Sequence, residues 1–369
     1  MLSRPCLTTI TAAGRTTSDP TNRAIIVLNV QNDFLVEPSP DTRADHIDDH
    51  LGPSTQRYFG SGHKRVSHRI SHLAWTSVAA EPPGTEAQGT AEIIYPVTWS
   101  SKAHNATDTA HVSTIDALVV SLRLVETCLA SGLGLTAAQI SRAWLRRYVM
   151  RPGSRPHTDV HDVPLRIIKG RSRPSDLSPG WTSTEFVCVV GGIKVRCHVE
   201  HEVGDARSTG APLSLTTAPY HCGGYRFRTH EVTGVKLAAA EASVGATVRV
   251  RDTVQARAGI GELGAAYQPA LTMFDATIVY AQLGQVLMYS LDELTRGDTN
   301  TLWMRAVDMV SSGPDSTLLG PMSCTSSVTR SSILNFAGKR WRVSTMQGSL
   351  ANTTVTYSLG HRLPGMESA

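Results

Sequence analysis

Two acidic residues, Asp116 and Asp275, each stand three positions after a hydroxyl residue, Ser113 and Thr272, and each opens an apolar stretch. Ser/Thr-x-x-Asp before an apolar run marks the start of a helix. A helix start carries unsatisfied backbone N–H groups that can bind a developing oxyanion. Two readings of the Asp pair stand side by side: a capping carboxylate that favours the positive helix end, or a base that takes a proton from an acceptor hydroxyl. His111, just before the first helix start, carries an imidazole that can accept a proton. It is read either as that base or as a loop histidine.

Further candidates follow each helix start. Arg146 and Arg305 sit on the segments after the helices, where a guanidinium can bind phosphate or carboxylate in bidentate fashion or pair with a helix-start Asp. Tyr280, Gln282 and Gln285 add polarity to the second apolar stretch, for hydrogen bonds to a sheet or to a sugar. Ser113 and Trp303 complete the candidate substrate-binding set.

The elements that must position these residues repeat. Asp275 follows Asp116 by 275 − 116 = 159 positions, and the same step carries Leu124 to Leu283, Trp144 to Trp303, Arg146 to Arg305 and Met150 to Met309. That register predicts two copies of one α+β unit. His111 maps onto Ala270, which suits one active site per pair and equally suits drift. The expected boundaries are an extension at 1–44, a first copy at 45–205 and a second at 206–369. Helices are predicted from Thr114 to Ser131 and from Met273 to Leu291, apolar nearly all round and therefore buried. Strands are expected at Tyr58–Trp75, Ala91–Trp99, Ala143–Met150 and Val163–Ile168, then as a hairpin of Phe186–Val190 and Ile193–His201 turning at Gly191-Gly192. In the second copy they are expected at Tyr225–Val232, Thr247–Val254, Leu302–Val310, Arg340–Thr345 and Thr353–Leu359. A Ser-rich loop is expected around Ser323–Ser332, and a buried face of Trp341, Val343 and Thr345. One buried helix wrapped by a curved antiparallel sheet, present twice, is a double hot-dog.

Composition narrows the class. The chain has 369 residues, enough for two domains, and a net charge of only +4. With 6% aromatics and no basic run, a nucleic-acid partner is not expected. No apolar run is long enough for a membrane span. The six cysteines form no CxxC pair, so reduced thiols in a cytoplasm are expected. Cys197-His198-Val199-Glu200-His201, with His221-Cys222 later, resembles a zinc set. On a strand, though, Val195, Cys197 and Val199 face inward and His198 outward, so no metal is expected. Gly259-Ile260-Gly261-Glu262-Leu263-Gly264 has the spacing of a dinucleotide loop but lacks the helix and acidic residue that must follow. Ile26–Phe34 is similar to the first strand of isochorismatase-like hydrolases, with Asn29 where that family has its Asp.

Several blocks taken in order resemble the avirulence D family: Ile47-Asp48-Asp49-His50-Leu51-Gly52-Pro53, Arg57-Tyr58-Phe59-Gly60-Ser61-Gly62, Tyr95-Pro96-Val97-Thr98-Trp99-Ser100, His111-Val112-Ser113-Thr114-Ile115-Asp116-Ala117 and Leu302-Trp303-Met304-Arg305. The resemblance runs from about Asp45 to the C-terminus. It implies the making of syringolides: a 3-oxoacyl group on an acyl carrier protein or coenzyme A passes to a hydroxyl of a ketose such as xylulose, and an aldol-type closure gives a butenolide. A-factor-type butenolide synthases look like mechanistic relatives. It implies no metal or redox cofactor, and a homodimer is compatible with it. Two other classes stay open. One is a dehydratase or thioesterase on the same fold, and the other is a non-catalytic binder of a butyrolactone-like signal.

Overall fold

The computed structural model describes residues 42–75, 86–97, 99, 110–176, 178–204, 220–252, 261–298, 302–314, 320–336 and 338–364. The Ile26–Phe34 segment and most of the 1–44 extension lie outside them. Residues 37–369 form one compact unit.

Alternating burial builds the strands. They are β1 (Thr42–His46), β2 (Ser67–Trp75), β3 (Glu86–Ile94), β4 (Trp144–Arg151), β5 (Val163–Pro174), β6 (Trp181–Val190), β7 (Ile193–Glu202), β8 (Arg228–Ala238), β9 (Ser243–Asp252), β10 (Leu302–Ser311), β11 (Met322–Phe336), β12 (Lys339–Leu350) and β13 (Thr353–Arg362). In β7, Val195, Cys197 and Val199 are fully buried while His198 is half-buried, as period two requires. The helices are α1 (Ile47–Leu51), α2 (Thr114–Thr127), α3 (Ala137–Arg142) and α4 (Met273–Ser290).

All thirteen strands join one antiparallel sheet in the order β1-β8-β9-β11-β12-β13-β10-β4-β7-β6-β5-β3-β2. The two halves of this order correspond. From the seam outward, β4-β7-β6-β5-β3-β2 on one side matches β10-β13-β12-β11-β9-β8 on the other. The seam is the β4–β10 pairing, Met150↔Val307 to Arg147↔Val310. Across it Arg147 Nε and Nη2 grip Asp308 at 2.9 and 2.6 Å.

Each long helix lies on its own half. Helix α2 packs on β2, β5, β6 and β7, and α4 on β8 to β13. In α2 only Thr114, Arg123 and Thr127 escape full burial, and in α4 only Gln285 and Ser290. Helices buried this fully gain their stability from apolar area removed from water rather than from helix propensity. A long helix on antiparallel strands is the hot-dog arrangement in outline, within an α+β chain.

Several boundaries differ from expectation. Residues 58–65 form two tight turns, and the strand starts only at Ser67. A Cβ on Gly60 would stand 2.2 Å from the Ser54 carbonyl oxygen and one on Gly62 1.9 Å from that of Trp99, so these glycines let the chain fold back on itself. The Ser-rich stretch expected as a loop is the longest strand, β11, because Met322, Cys324 and Ser326 face the core while the serines and threonines between them pair across the sheet. In β12 the buried face is the opposite one. Ser344 and Met346 are fully buried and Arg342 joins them, its charge met by Asp292 at 2.8 Å. A paired arginine and a hydrogen-bonded serine can face inward, which an apolar pattern alone does not anticipate.

Candidate active site at the start of the first long helix

The capping box of α2 is complete. Ser113 Oγ accepts from the Asp116 N–H at 3.2 Å, and the Asp116 carboxylate accepts from the Ser113 N–H at 2.7 Å. Asp116 is wholly buried. Its other oxygen meets His68 Nε2 of β2 at 2.7 Å, and the Tyr95 hydroxyl lies in a short hydrogen bond to the first. Burial alone would raise the Asp116 pKa. The hydrogen bond and charge of His68, with the Tyr95 and Ser113 hydrogen bonds, bring it below the usual carboxylate value. A carboxylate so strongly held stays ionised at neutral pH and is a weak base. Its work is to orient: the Tyr95 hydroxyl it holds is also 2.9 Å from the His111 carbonyl oxygen, which sets the loop carrying His111. Burial and the Asp116 charge push Tyr58 and Tyr95 well above the ordinary phenol range, so both remain donors.

The capping box occupies the N–H groups of Ser113 and Asp116. Those of Thr114 and Ile115 are the remaining first-turn donors, and Thr114 faces a cavity of about 490 Å³. This cavity lies where the start of α2 meets one face of α4, Ala281, Gln285 and Tyr289, with successive members four residues apart. The first residues of β10 and the loop after β4 close it. Its size is that of a small-molecule site. Its polar lining includes His111, Ser113, His157, Arg155, Arg296 and Arg305, and no carboxylate lines it among the described residues. Tyr58, Tyr95 and Trp99 form an aromatic wall with edge-to-face contacts of 5.5 and 5.3 Å between ring centroids.

The candidates named from sequence separate cleanly. His111, Ser113, Gln285, Trp303 and Arg305 line the cavity. Asp116 sits directly behind it. Gln282 stands one contact away, its Oε1 accepting from Arg57 Nη1 at 2.6 Å. Asp275, Arg146 and Tyr280 line no part of it. Arg146 donates to the Ser311 carbonyl across the seam, and the side chains that pair with the helix-start Asp residues are His68 and Tyr95 in one half and Arg228 and His230 in the other, not Arg146 or Arg305. Tyr280 packs against Tyr357 at 5.8 Å. Asp275 caps α4 and pairs with Arg228 Nη1 at 2.5 Å and His230 Nε2 at 2.8 Å, both partners buried. Burial opposes ionisation there too, but the Arg228 charge and the His230 hydrogen bond hold Asp275 far below the usual carboxylate range.

His68, His230, Tyr58 and Tyr95 are functional candidates that the sequence reading passed over. A signal for three of them exists at a second register. Tyr220 follows Tyr58, and His230 follows His68, by 162 positions rather than 159. Their contacts match: Tyr58 Oη lies 2.7 Å from Ser113 Oγ, and Tyr220 Oη 3.2 Å from Thr272 Oγ1.

The family described as Pseudomonas avirulence D protein (AvrD) matches residues 43–364. The chain belongs to the avirulence D family. No curated protein matches it. Among solved structures, this family member is similar to a conserved protein of unknown function with a hot-dog fold from Alicyclobacillus acidocaldarius, at 7% identity and a TM-score of 0.38, over 84% of this chain and 99% of that one. It is also similar to an acyl-CoA thioesterase II, TesB2, from Mycobacterium marinum, at 10% identity and a TM-score of 0.37, over 81% of this chain and 97% of that one. No helix among the described residues of this avirulence D family member is long and apolar enough to cross a membrane.

Proposed function

We propose that this chain is a tandem double hot-dog acyltransferase that joins a 3-oxoacyl thioester to a small ketose such as xylulose. The matched strand order on the two sides of the β4–β10 seam supports the duplication, with copies at about 45–205 and 206–369. The observation that carries the reaction is the convergence on one cavity of the start of α2 at Thr114, His111 and an arginine-rich lining free of carboxylates among the described residues. The thioester carbonyl oxygen points at the N–H groups of Thr114 and Ile115, which stabilise the oxyanion. His111 takes the proton of the acceptor hydroxyl. The new C–O bond forms, the C–S bond breaks, and the proton leaves with the thiol. The carbon between the two carbonyls then attacks the ketose carbonyl, and loss of water gives the butenolide. Arg305 and Arg155 meet the phosphates of coenzyme A or of an acyl carrier protein's prosthetic arm.

The test is incubation of the purified chain with a 3-oxoacyl coenzyme A and xylulose, with thiol release and product mass followed together. Ketose-dependent thiol release with an acyl-pentose or butenolide mass supports the reading. Equal thiol release without the ketose would mark a thioesterase. Saturable ligand binding with no turnover would mark a signal-binding protein.

A further inference from the structure

The repeat relationship predicts a second cavity at the start of α4, and the structure fills that place differently. Two residues that line the first cavity are Phe59 and Gln285. Their counterparts are His221, at 59 + 162, and Glu126, at 285 − 159. These do not open a space. His221 Nδ1 lies 2.6 Å from Glu126 Oε1, and Glu262 joins them from the loop before α4.

We propose that Glu126, His221 and Glu262 form a divalent-cation site that staples the two halves of the sheet together. Their ligand atoms all lie within 4.8 Å of one another, and the three residues are 8%, 4% and 3% exposed. One imidazole and two carboxylates are a nitrogen–oxygen donor set suited to Zn²⁺ or Mn²⁺. A cation about 2.0–2.2 Å from each donor requires ligand atoms no more than about 4 Å apart, which small rotations of the two Glu side chains supply.

The carboxylates are already oriented by outer hydrogen bonds. The Leu263 N–H donates to Glu126 at 3.0 Å and the His221 N–H to Glu262 at 3.1 Å. The three side chains by themselves sum to −1 with a protonated imidazole and to zero with a dication and a neutral imidazole. The proton between His221 and Glu126 leaves as the cation enters. The Arg123 charge also acts on His221, and Arg123 Nη1 donates to the His68 carbonyl at 3.1 Å. Cys222, next in the chain, is exposed. The three ligands come from α2 in the first half and from two loops of the second, so a bound cation would resist separation of the halves.

The experiment is elemental analysis of the full chain after dialysis, with thermal denaturation before and after chelator treatment and on adding Zn²⁺ or Mn²⁺. About one equivalent of metal is expected, with a Tm that falls on chelation and returns on reloading. Glu262→Gln should lower the metal content about tenfold or more and abolish the Tm response, while the metal-free Tm stays near that of the metal-free parent. Cys222→Ser should change neither. A chain that retains no metal, and whose Tm is unmoved by either ion, would overturn the site and leave the proton between His221 and Glu126 holding that pair. A Tm response lost in Cys222→Ser and kept in Glu262→Gln would overturn it too. Both readouts are independent of the reaction assigned to the first cavity.

Discussion

His68 Nε2 of β2 sits 2.7 Å from Asp116 Oδ1 of α2, with both side chains shut away from solvent. His230 and Asp275 repeat the contact at 2.8 Å in the other half. The repeat ends at the second carboxylate oxygen, which faces a tyrosine hydroxyl in the first half and a buried arginine in the second. One helix start therefore opens onto a cavity, and the other is sealed by an ion pair.

That difference predicts opposite phenotypes for matched substitutions. Asp275→Asn removes one of the two carboxylates that pair with the buried Arg228, leaving Asp252 at 2.6 Å, and should cost about 3 kcal/mol of stability, read by urea unfolding. Asp116→Asn should cost less stability but lower kcat, since it loosens the Tyr95 hydroxyl and the loop bearing His111. Equal stability losses for the two variants would contradict this division.

His111→Ala should lower kcat about 10²- to 10⁴-fold and leave stability within about 0.5 kcal/mol, the usual range away from packed features. Steady-state kinetics beside a denaturation curve checks both halves. Unchanged kcat would remove His111 as the base.

Arg305→Ala should raise KM for a coenzyme A thioester with little change in kcat, and the effect should shrink as salt screens the phosphate contacts. If kcat falls at constant KM, Arg305 acts in the transition state rather than in binding.

His63 is buried, its Nδ1 lies 2.9 Å from the Tyr58 carbonyl oxygen, and its Nε2 has no hydrogen-bond partner among the described residues. Burial depresses its pKa to about 3. The unfolded chain binds this proton near pH 6.5 and the folded chain only near 3, so acidification through that window favours unfolding. The slope from this residue approaches about 1.4 kcal/mol per pH unit. His63→Phe should flatten the loss of stability between those pH values. His221 has the opposite sign: burial opposes its proton, but the Glu126 charge and hydrogen bond raise its pKa overall. In the metal-free chain its contribution is full at low pH and declines as pH rises through the raised value.

Gly348 of β12 lets α4 approach closely. A Cβ there would stand 2.5 Å from the Thr325 carbonyl oxygen and 2.6 Å from Tyr280 Cε1. Gly348→Ala should destabilise by about 1–3 kcal/mol through overpacking, visible as a lower Tm with the cavity's activity retained. A neutral result would mean that both Tyr280 and the β11 backbone at Thr325 can move aside.

Much of this was legible in the residues alone. Ser113-x-x-Asp116 and Thr272-x-x-Asp275 announce two helix starts because capping is local chemistry, settled within four residues. The 159-residue step points to two units of like pattern because matched elements must bury matched faces. Family membership was readable from the ordered blocks between Ile47 and Arg305. Tertiary structure alone decided which helix start faces a cavity, since Asp116 and Asp275 share the same local pattern and differ only in the distant partners, Tyr95 and Arg228, brought to their second oxygen. It also decided that Arg305 lines the cavity while Arg146 ties the seam, and that Gln285 opens a space where Glu126 closes one. A side chain's partners come from whichever strands the sheet sets beside it, and contacts from 21 to 165 positions apart leave no periodic trace in the chain.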